Sequence, residues 1–343
     1  MPPVATADAR AVLLTQWLET KVALPAHALA PASTDASFRR YFRVSFAAPS
    51  GAFEGATSLI VMDAPPPRED CRPFVHVARL LQQAGVHVPR VLASDIRRGF
   101  LLLTDLGTTT YASALDATNA SALYLDAIDA LVRWQRASRD DELPPYDDTL
   151  LRRELMLFPD WYVARHLGRP PTTAERATLE KAFDLLLLNN LAQPRVFVHR
   201  DYHSRNLMVA APNPGVLDFQ DAVHGPITYD LVSLLRDAYV EWDEERQLDW
   251  AIRYWERARA AHLPVGADFA GFWRDFEWMG VQRQLKVLGI FARLAHRDGK
   301  TGYVGDMPRV MRYLRRACER YRELAQLAAL LDTLAAHGAA DPS

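Results

Sequence analysis

The hydrophobic pattern changes its period in the stretch LLLTDLGTTT (101–110). Before this stretch, short apolar runs bounded by proline and glycine predict strands. After it, apolar residues recur at intervals of about three and four residues, which is the spacing of amphipathic helices. A sheet-forming segment followed by a helical segment is typical of an α+β fold. We therefore predict two lobes: a strand-rich lobe of residues 1–107 and a larger, mainly helical lobe of residues 108–343.

The strand-rich lobe is expected to begin with a helix near Asp8–Thr20. Its first predicted strand, Ser37–Phe46, alternates apolar and polar side chains with a period close to two, although Arg40 interrupts the apolar face. The second predicted strand is Thr57–Ala64, which is ended by three prolines. A helix that stops at Gly85 and two further short strands complete the prediction for this lobe.

Composition and charge argue against several classes of partner. The chain has 343 residues and a formal net charge of -2, which gives no reason to expect nucleic acid or an anionic membrane as a partner. No segment has the ~20 apolar residues of a membrane span, and the N-terminus does not resemble a signal peptide. Cys71 and Cys318 form no disulfide framework, which fits a reducing cytoplasm. No pattern indicates an obligate protein partner.

One segment of the helical region has strand character. VFVHRDYHSRNLMV (196–209) and GVLDFQD (215–221) contain short strand-like pieces around a polar loop, and a hairpin of these pieces would bring Asp201, Asn206 and Asp218 together. Phosphoryl transfer requires a carboxylate to accept the proton of the attacking hydroxyl, and oxygen ligands for Mg²⁺. We assign Asp201 as the catalytic base, and Asn206 and Asp218 as Mg²⁺ ligands. An alternative is a zinc hydrolase that uses His199, Asp201 and His203, although no further ligands are evident.

The polar loop resembles the catalytic loop of protein kinases, H-R-D-x-x-x-x-N, and Asp218-Phe219-Gln220 stands in the place of the kinase D-F-G. The continuation GVLDFQDAVHGPITYDLVSLLRD (215–237) resembles the aminoglycoside phosphotransferase and choline kinase branch of this fold. Further stretches, such as DASFRRYFRV (35–44) and QRQLKVLGIFARLAHRDGK (282–300), are similar to bacterial kinases of cell-wall recycling. Those enzymes phosphorylate N-acetylmuramate and N-acetylglucosamine at the anomeric hydroxyl.

This resemblance implies a bilobal protein-kinase-like fold, with a small antiparallel sheet in the N-terminal lobe, that uses ATP and Mg²⁺. The adenine would bind at the seam between the lobes. There the Thr104 carbonyl and the Leu106 amide would form hydrogen bonds with it, and Leu103 would line the pocket behind them. Asp230, at the start of a helix, would brace the catalytic loop.

The N-terminal lobe departs from the kinase pattern. Kinases place a lysine on the third strand and pair it with a glutamate on the next helix. Here Met62 stands near that position, the helix carries no acid, and the lobe contains a single lysine, Lys21. The first strand offers arginines as replacement cations for the ATP phosphates, namely Arg39, Arg40 and Arg43, of which Arg43 is our candidate. The glycines of a phosphate-covering loop are also missing, so Ser37 and backbone amides are expected to cover the phosphates.

The helix WMGVQRQLKVLGIFARL (278–294) is the predicted acceptor-binding wall. A cationic wall disfavours a polycationic aminoglycoside and suits an acetamido sugar that carries a lactyl carboxylate. As an alternative, the cations of this helix, Arg283, Lys286 and Arg293, pair with Glu154 or Asp237. Our candidate acceptor contacts are four residues, His203, Asp221, Gln282 and Arg283.

The preferred hypothesis is a cytoplasmic, ATP- and Mg²⁺-dependent kinase that acts on C1 of a small amino sugar. A second hypothesis is a kinase for another alcohol, such as an aminoglycoside or an amino alcohol. A third is a pseudokinase that binds a nucleotide without catalysis, because the expected lysine and glutamate are missing.

Overall fold

The computed structural model describes residues 9–34 and 38–338. The predicted starts of the first helix at Asp8 and of the first strand at Ser37 lie outside the described residues, as does the role predicted for Ser37. Within the described part of the chain, no helix is both long and apolar enough to cross a membrane.

The N-terminal lobe is built on a five-stranded antiparallel sheet with the strand order β1-β2-β3-β5-β4. Its strands are β1 (His27–Thr34), β2 (Arg40–Ser50), β3 (Ala56–Asp63), β4 (Val91–Asp95) and β5 (Phe100–Thr104). Helix α1 (Ala9–Trp17) precedes the sheet and is continued by a π-helical turn, Leu18–Val22. Helix α2 (Arg72–Gln83) connects β3 to β4.

Strand β1 is not predicted by the sequence pattern. Its sequence, HALAPAST, is rich in alanine and contains Pro31, which cannot donate a ladder hydrogen bond. The strand is compatible with proline because it lies at the edge of the sheet and pairs only with β2. Its place in the sheet therefore depends on tertiary pairing rather than on local propensity.

The two faces of the sheet bury different sets of side chains, because successive residues of a strand point to opposite faces. Phe100 and Leu102 of β5 belong to an apolar cluster with Leu14 and Trp17 at the N-terminal end of the chain. Leu101 and Leu103 belong to the main apolar core, together with Phe74 of α2 and much of the C-terminal lobe. The second face therefore joins the sheet to the helical lobe.

The C-terminal lobe is mainly helical. Its helices are α3 (Tyr111–Ala114), α4 (Ala120–Arg136), α5 (Asp148–Leu155), α6 (Thr173–Ala192), α7 (Tyr229–Leu235), α8 (Glu244–Ala260), α9 (Phe269–Asp298), α10 (Met307–Arg320) and α11 (Ala325–Gly338). A π-helical segment, Phe158–His166, follows α5. This architecture confirms the predicted α+β class, with a small antiparallel sheet and a mainly helical remainder.

Helix α9 runs through the centre of the helical lobe. Every residue from Phe276 to Gly289 is buried, which is typical of a core helix rather than of a surface helix. Gly289 allows a close approach, since a Cβ atom there would lie 2.4 Å from the Leu157 carbonyl. The polar residues of this segment therefore require partners or a function inside the protein.

Four short strands interrupt the helices and carry the polar loop. Strands β6 (Arg195–Val198) and β9 (Val223–Pro226) form one antiparallel pair, and β7 (Leu207–Met208) and β8 (Gly215–Val216) form another. The HRDYHSRN loop connects β6 to β7, and Asp218 follows β8 by two residues. The predicted strand pieces are thus present, but only β7 and β8 pair with each other, and β6 pairs instead with β9, a pairing that was not predicted from the sequence.

Candidate active site

A cavity of about 670 Å³ lies between the sheet and the helical lobe. On one side it is lined by the predicted adenine-binding residues of β5 and the segment that follows it, Leu103, Thr104 and Leu106. Asp201, His203 and Asn206 of the HRDYHSRN loop, which we call the catalytic loop because it resembles that of protein kinases, also line the cavity, as do Asp218 and, from α9, Arg283 and Lys286. Among the residues predicted for the site, Asp221 and Gln282 are not part of this lining.

Buried polar contacts hold the catalytic loop in shape. Asp230, in the first turn of α7, accepts hydrogen bonds from the backbone amides of His199 at 2.7 Å and Arg200 at 3.0 Å. Arg200 has a φ of 78°, which is costly for a residue other than glycine. The bond from its amide to Asp230 helps to hold this conformation. The brace predicted for Asp230 by resemblance is consistent with these contacts.

His199 has a structural role in this loop. Its Nε2 lies 3.0 Å from the Leu217 carbonyl, and its Nδ1 lies 3.3 Å from the Asp201 amide. Burial lowers the pKa of His199 to about 4, so the ring is neutral, with Nε2 donating and Nδ1 accepting. Both ring nitrogens are therefore used, which argues against His199 as a zinc ligand. In the described part of the chain, no group of three or more His, Cys, Asp or Glu residues is arranged to hold a metal ion.

Substituting Asp230→Ala is expected to lower the free energy of unfolding by about 2–5 kcal/mol, because two buried amides lose their acceptor. Asp230 is fully buried, and burial raises its pKa to about 7 even though both amide hydrogen bonds favour the ionised form. Urea denaturation of the wild type and of Asp230→Ala measures the difference in their free energies of unfolding. A matched control is Asp243→Ala, where an exposed carboxylate caps α8 through the Arg246 amide and about 1 kcal/mol is expected. Equal losses in the two variants would contradict the bracing role.

Asp201 presents an ionised carboxylate to the cavity. Burial by itself would raise its pKa, but the positive charges of Lys286 and Arg200 outweigh this effect and hold the pKa at about 2. Its backbone carbonyl accepts hydrogen bonds from the Asn206 side chain and from the His203 amide, both at 3.0 Å. Within the described residues its carboxylate oxygens accept no hydrogen bond, so they are available to a ligand hydroxyl.

Asn206 and Asp218 lie side by side and fit a magnesium ion. The Asn206 amide nitrogen is 3.4 Å from Asp218 Oδ2 and donates to the Asp201 carbonyl, which leaves the amide oxygen for another partner. Asp218 has a φ of 61°, and its Oδ1 accepts a hydrogen bond of 2.8 Å from Gln220. Mg²⁺ is usually bound by one or two carboxylates together with substrate phosphates, so an aspartate and an asparagine at one end of a cavity suit it.

The three arginines of the first predicted strand have different partners. Arg40 forms an ion pair with Asp63 at 2.5 Å. Arg43 donates a hydrogen bond of 2.7 Å to Asp105, which lies between Thr104 and Leu106 in the predicted adenine-binding segment. Arg43 also donates to the Gly107 carbonyl at 3.0 Å, so its guanidinium stiffens this segment, although the residue lines the cavity. The Nη2 atom of Arg39 lies 3.9 Å from Asp218 Oδ1. Sequence reasoning missed Asp105, because nothing local indicates which of several acids Arg43 meets.

Met62 is fully buried and belongs to the same core cluster as Phe74 and Leu103. Met62, which stands near the strand position at which kinases carry lysine, is therefore an apolar core residue in this protein. Of the three arginines considered above, Arg39 lies within ion-pair distance of a predicted metal ligand, Asp218, although Arg43 and not Arg39 lines the cavity.

Helix α9 contributes two cations to the cavity lining, of which Lys286 is paired with a described carboxylate and Arg283 is not. Lys286 Nζ lies 3.0 Å from Glu154 Oε1 and 2.9 Å from the Tyr229 hydroxyl, so the alternative pairing with Glu154 is confirmed for this lysine. Burial would raise the pKa of Glu154, but Lys286 and Arg200 lower it. Arg283 is buried and lines the cavity, and it forms no hydrogen bond or ion pair with another described residue.

Two predicted acceptor contacts lie elsewhere. Gln282 is fully buried and donates a hydrogen bond of 3.0 Å to the Leu151 carbonyl, because adjacent helix positions are rotated by roughly 100° and only Arg283 faces the cavity. Asp221 is exposed, and its Oδ2 lies 3.4 Å from Gln220 Nε2. The structure does not bring either side chain to the cavity.

Comparisons with known proteins agree with this geometry. The sequence matches the family described as Phosphotransferase enzyme family over residues 28–269. A protein from Pseudomonas putida named N-acetylmuramate/N-acetylglucosamine kinase is 52% identical over 340 residues, which cover 96% of this chain and 98% of that protein. A protein of the same name from Neisseria meningitidis is 51% identical over 326 residues, which cover 94% and 95% of the two chains.

Solved structures give the fold. An amicoumacin kinase in complex with AMP-PNP and Ca²⁺ superimposes with a TM-score of 0.61 at 15% identity, covering 93% of this chain and 97% of that one. At this level of identity the likeness supports a shared kinase-like fold and nothing more. Together with the family match and the full-length relatives, it shows that the chain belongs to the phosphotransferase enzyme family.

Proposed function

We propose that this protein transfers the γ-phosphoryl group of ATP to the anomeric C1 hydroxyl of N-acetylmuramate and N-acetylglucosamine. The observation that carries the proposal is the Asp201 carboxylate. It is ionised, makes no side-chain hydrogen bond within the described residues, and lies in the same cavity as the predicted metal ligands and the cationic helix α9. The choice of sugars is supported by relatives of nearly the same length that are named for both of them.

Asp201 would accept a hydrogen bond from the attacking hydroxyl and orient its oxygen towards the phosphorus atom. A carboxylate with a pKa of about 2 is a weak base, so it would take the proton late, after most of the bond to the leaving group is broken. An anomeric hydroxyl is more acidic than other sugar hydroxyls, which suits such a base. Mg²⁺ held by Asn206 and Asp218 would supply positive charge to the phosphates.

The nucleotide would lie along the opposite side of the cavity. Within the described residues the Leu106 amide makes no hydrogen bond, so it can donate one to the adenine. Arg43 holds this segment through Asp105 and Gly107. We assign Arg39 rather than Arg43 to the phosphates, because Arg39 lies 3.9 Å from Asp218.

The charges around the acceptor side disfavour a polycation. Glu154 is neutralised by Lys286 and Arg200, and Asp237 accepts the backbone amides of Ser204 and Tyr239 at 2.8 Å. An aminoglycoside would therefore meet few available carboxylates near Asp201.

The sugars of the proposed reaction are components of the bacterial cell wall, so the reaction would serve peptidoglycan recycling. The use of ATP and two buried free cysteines support a cytoplasmic location.

A coupled assay of ADP release tests the proposal. With ATP and Mg²⁺, we expect turnover of both N-acetyl sugars and less than about one hundredth of that kcat/KM with kanamycin, choline or ethanolamine, a difference that corresponds to about 2.7 kcal/mol. Turnover of an amine alone would replace the sugar proposal with the second kinase hypothesis. ATP binding without turnover of any acceptor would favour a pseudokinase.

A further inference from the structure

Arg283 is a buried cation that forms no direct ion pair with another described residue. Its residue exposure is 3%, and it lines the cavity that contains Asp201. Within residues 9–34 and 38–338 it forms no hydrogen bond and no ion pair within 4.0 Å of a carboxylate. Transfer of a guanidinium from water to such a place is unfavourable unless an anion joins it, and this one faces a cavity that a ligand can enter.

The neighbouring cations differ from Arg283 in this respect. Lys286, one helical turn further along α9, is neutralised by Glu154 at 3.0 Å. Arg236 pairs with Glu277 at 2.8 Å, and Arg205 lies 3.9 Å from Asp306 while it stacks on Tyr239. Among the described cations of α9 that line the cavity, Arg283 is therefore the one that no carboxylate contacts.

The buried acids near Arg283 are already used by the protein. Asp237 accepts hydrogen bonds from the amides of Ser204 and Tyr239, both at 2.8 Å. Asp230 accepts those of His199 and Arg200. Neither carboxylate can turn to Arg283 without leaving buried amides unsatisfied. The Asp201 carboxylate lies in the same cavity and its pKa is lowered by the charge of Arg283, but the two groups form no ion pair within 4.0 Å, so a direct counter-ion for Arg283 has to come from a ligand.

We propose that Arg283 binds the carboxylate of the lactyl ether of N-acetylmuramate and so determines how well this sugar is used relative to N-acetylglucosamine. This inference rests on the proposed function. A guanidinium presents paired N–H donors that match the two oxygens of a carboxylate. Further along α9, Val287, Ile290 and Phe291 line the same cavity and offer an apolar surface to the methyl groups of the sugar. N-acetylglucosamine has no lactyl group and therefore makes no ion pair with Arg283.

The test compares the two sugars in the full-length protein. We expect Arg283→Met to lower kcat/KM for N-acetylmuramate by about 10- to 100-fold, the effect of losing a hydrogen-bonded ion pair. The value for N-acetylglucosamine is expected to change less than about threefold, and this activity also reports that the variant is folded. Arg283→Lys, which keeps the charge but loses the paired donors, should give an intermediate loss for N-acetylmuramate.

Two controls sharpen the comparison. Arg274→Met makes the same substitution on the same helix at an exposed site that pairs with Glu323, and it should leave both kinetic constants unchanged. An N-acetylmuramate analogue whose lactyl carboxylate is replaced by an amide should be a poor substrate of the wild type. The Arg283→Met variant should use this analogue and the natural sugar about equally well.

Three outcomes would overturn the inference. Equal losses for both sugars would mean that Arg283 acts on the phosphates or on Asp201 rather than on the lactyl group. No loss for either sugar would mean that Arg283 does not contact the substrate. If the wild type phosphorylates neither sugar, the proposed function itself fails. This outcome differs from the other two because it is seen in the wild-type protein, before any Arg283 variant is compared.

Discussion

Substituting Asp201→Asn is expected to lower kcat for sugar phosphorylation by about 100- to 10,000-fold, the usual contribution of a general base. Asparagine has nearly the same shape, but it cannot take a proton from the acceptor hydroxyl. Affinity for ADP should remain unchanged, because the Asp201 side chain makes no hydrogen bond that shapes the predicted adenine-binding segment. Steady-state kinetics and calorimetric titration with ADP measure the two effects separately.

The control for this substitution is Asp140→Asn, whose carboxylate is 92% exposed. It makes the same chemical change on the surface and should leave kcat and the affinity for ADP unaltered. Unchanged turnover in Asp201→Asn would show that another group accepts the proton, and our assignment of the base would be wrong.

Substituting Asp218→Asn is expected to raise the Mg²⁺ concentration for half-maximal activity by about 10- to 100-fold or more. The carboxylate is the only negative charge that our assignment gives to the metal, and asparagine removes it while keeping the shape. Arg39 and Gln220 would also lose the carboxylate that they approach at 3.9 and 2.8 Å, respectively. Titration of the initial rate with Mg²⁺ at saturating ATP and sugar measures the shift.

Asp221→Asn is the comparison for this second variant. Asp221 is exposed and lies outside the cavity lining, so the Mg²⁺ dependence of its variant should match that of the wild type. An unchanged Mg²⁺ dependence in Asp218→Asn would mean that the metal is bound elsewhere. The assignment of Asn206 and Asp218 as metal ligands would then be wrong.

The site could be predicted from sequence where its geometry is local. Asp201, Asn206 and Asp218 lie on one continuous stretch of strand and loop, so their separation along the chain limits their separation in space. The strand Phe100–Thr104 was predictable for a similar reason, because a short continuous run of apolar residues is consistent with a strand that is covered on both faces. Strand β1 was not predictable from the sequence, since its alanines and Pro31 form no apolar run that indicates a strand.

The remaining details depend on contacts between distant parts of the chain. Gln282 and Arg283 are adjacent in sequence, yet one faces Leu151 and the other faces the cavity. Helical periodicity separates their directions but does not say which direction is the cavity. Likewise, Arg39 and Arg43 are similar in sequence context, and the partner Asp105 decides that Arg43 braces the adenine-binding segment. The division into residues 1–107 and 108–343 stays a prediction.

The position of the transferred phosphate tests the central claim most directly. The full-length protein is incubated with ATP, Mg²⁺ and N-acetylglucosamine labelled with carbon-13 at C1, and the product is examined by NMR. Our account predicts a two-bond coupling between phosphorus and the labelled C1, together with loss of the free reducing end. A phosphorylated product that keeps its reducing end and shows no coupling at C1 would contradict it.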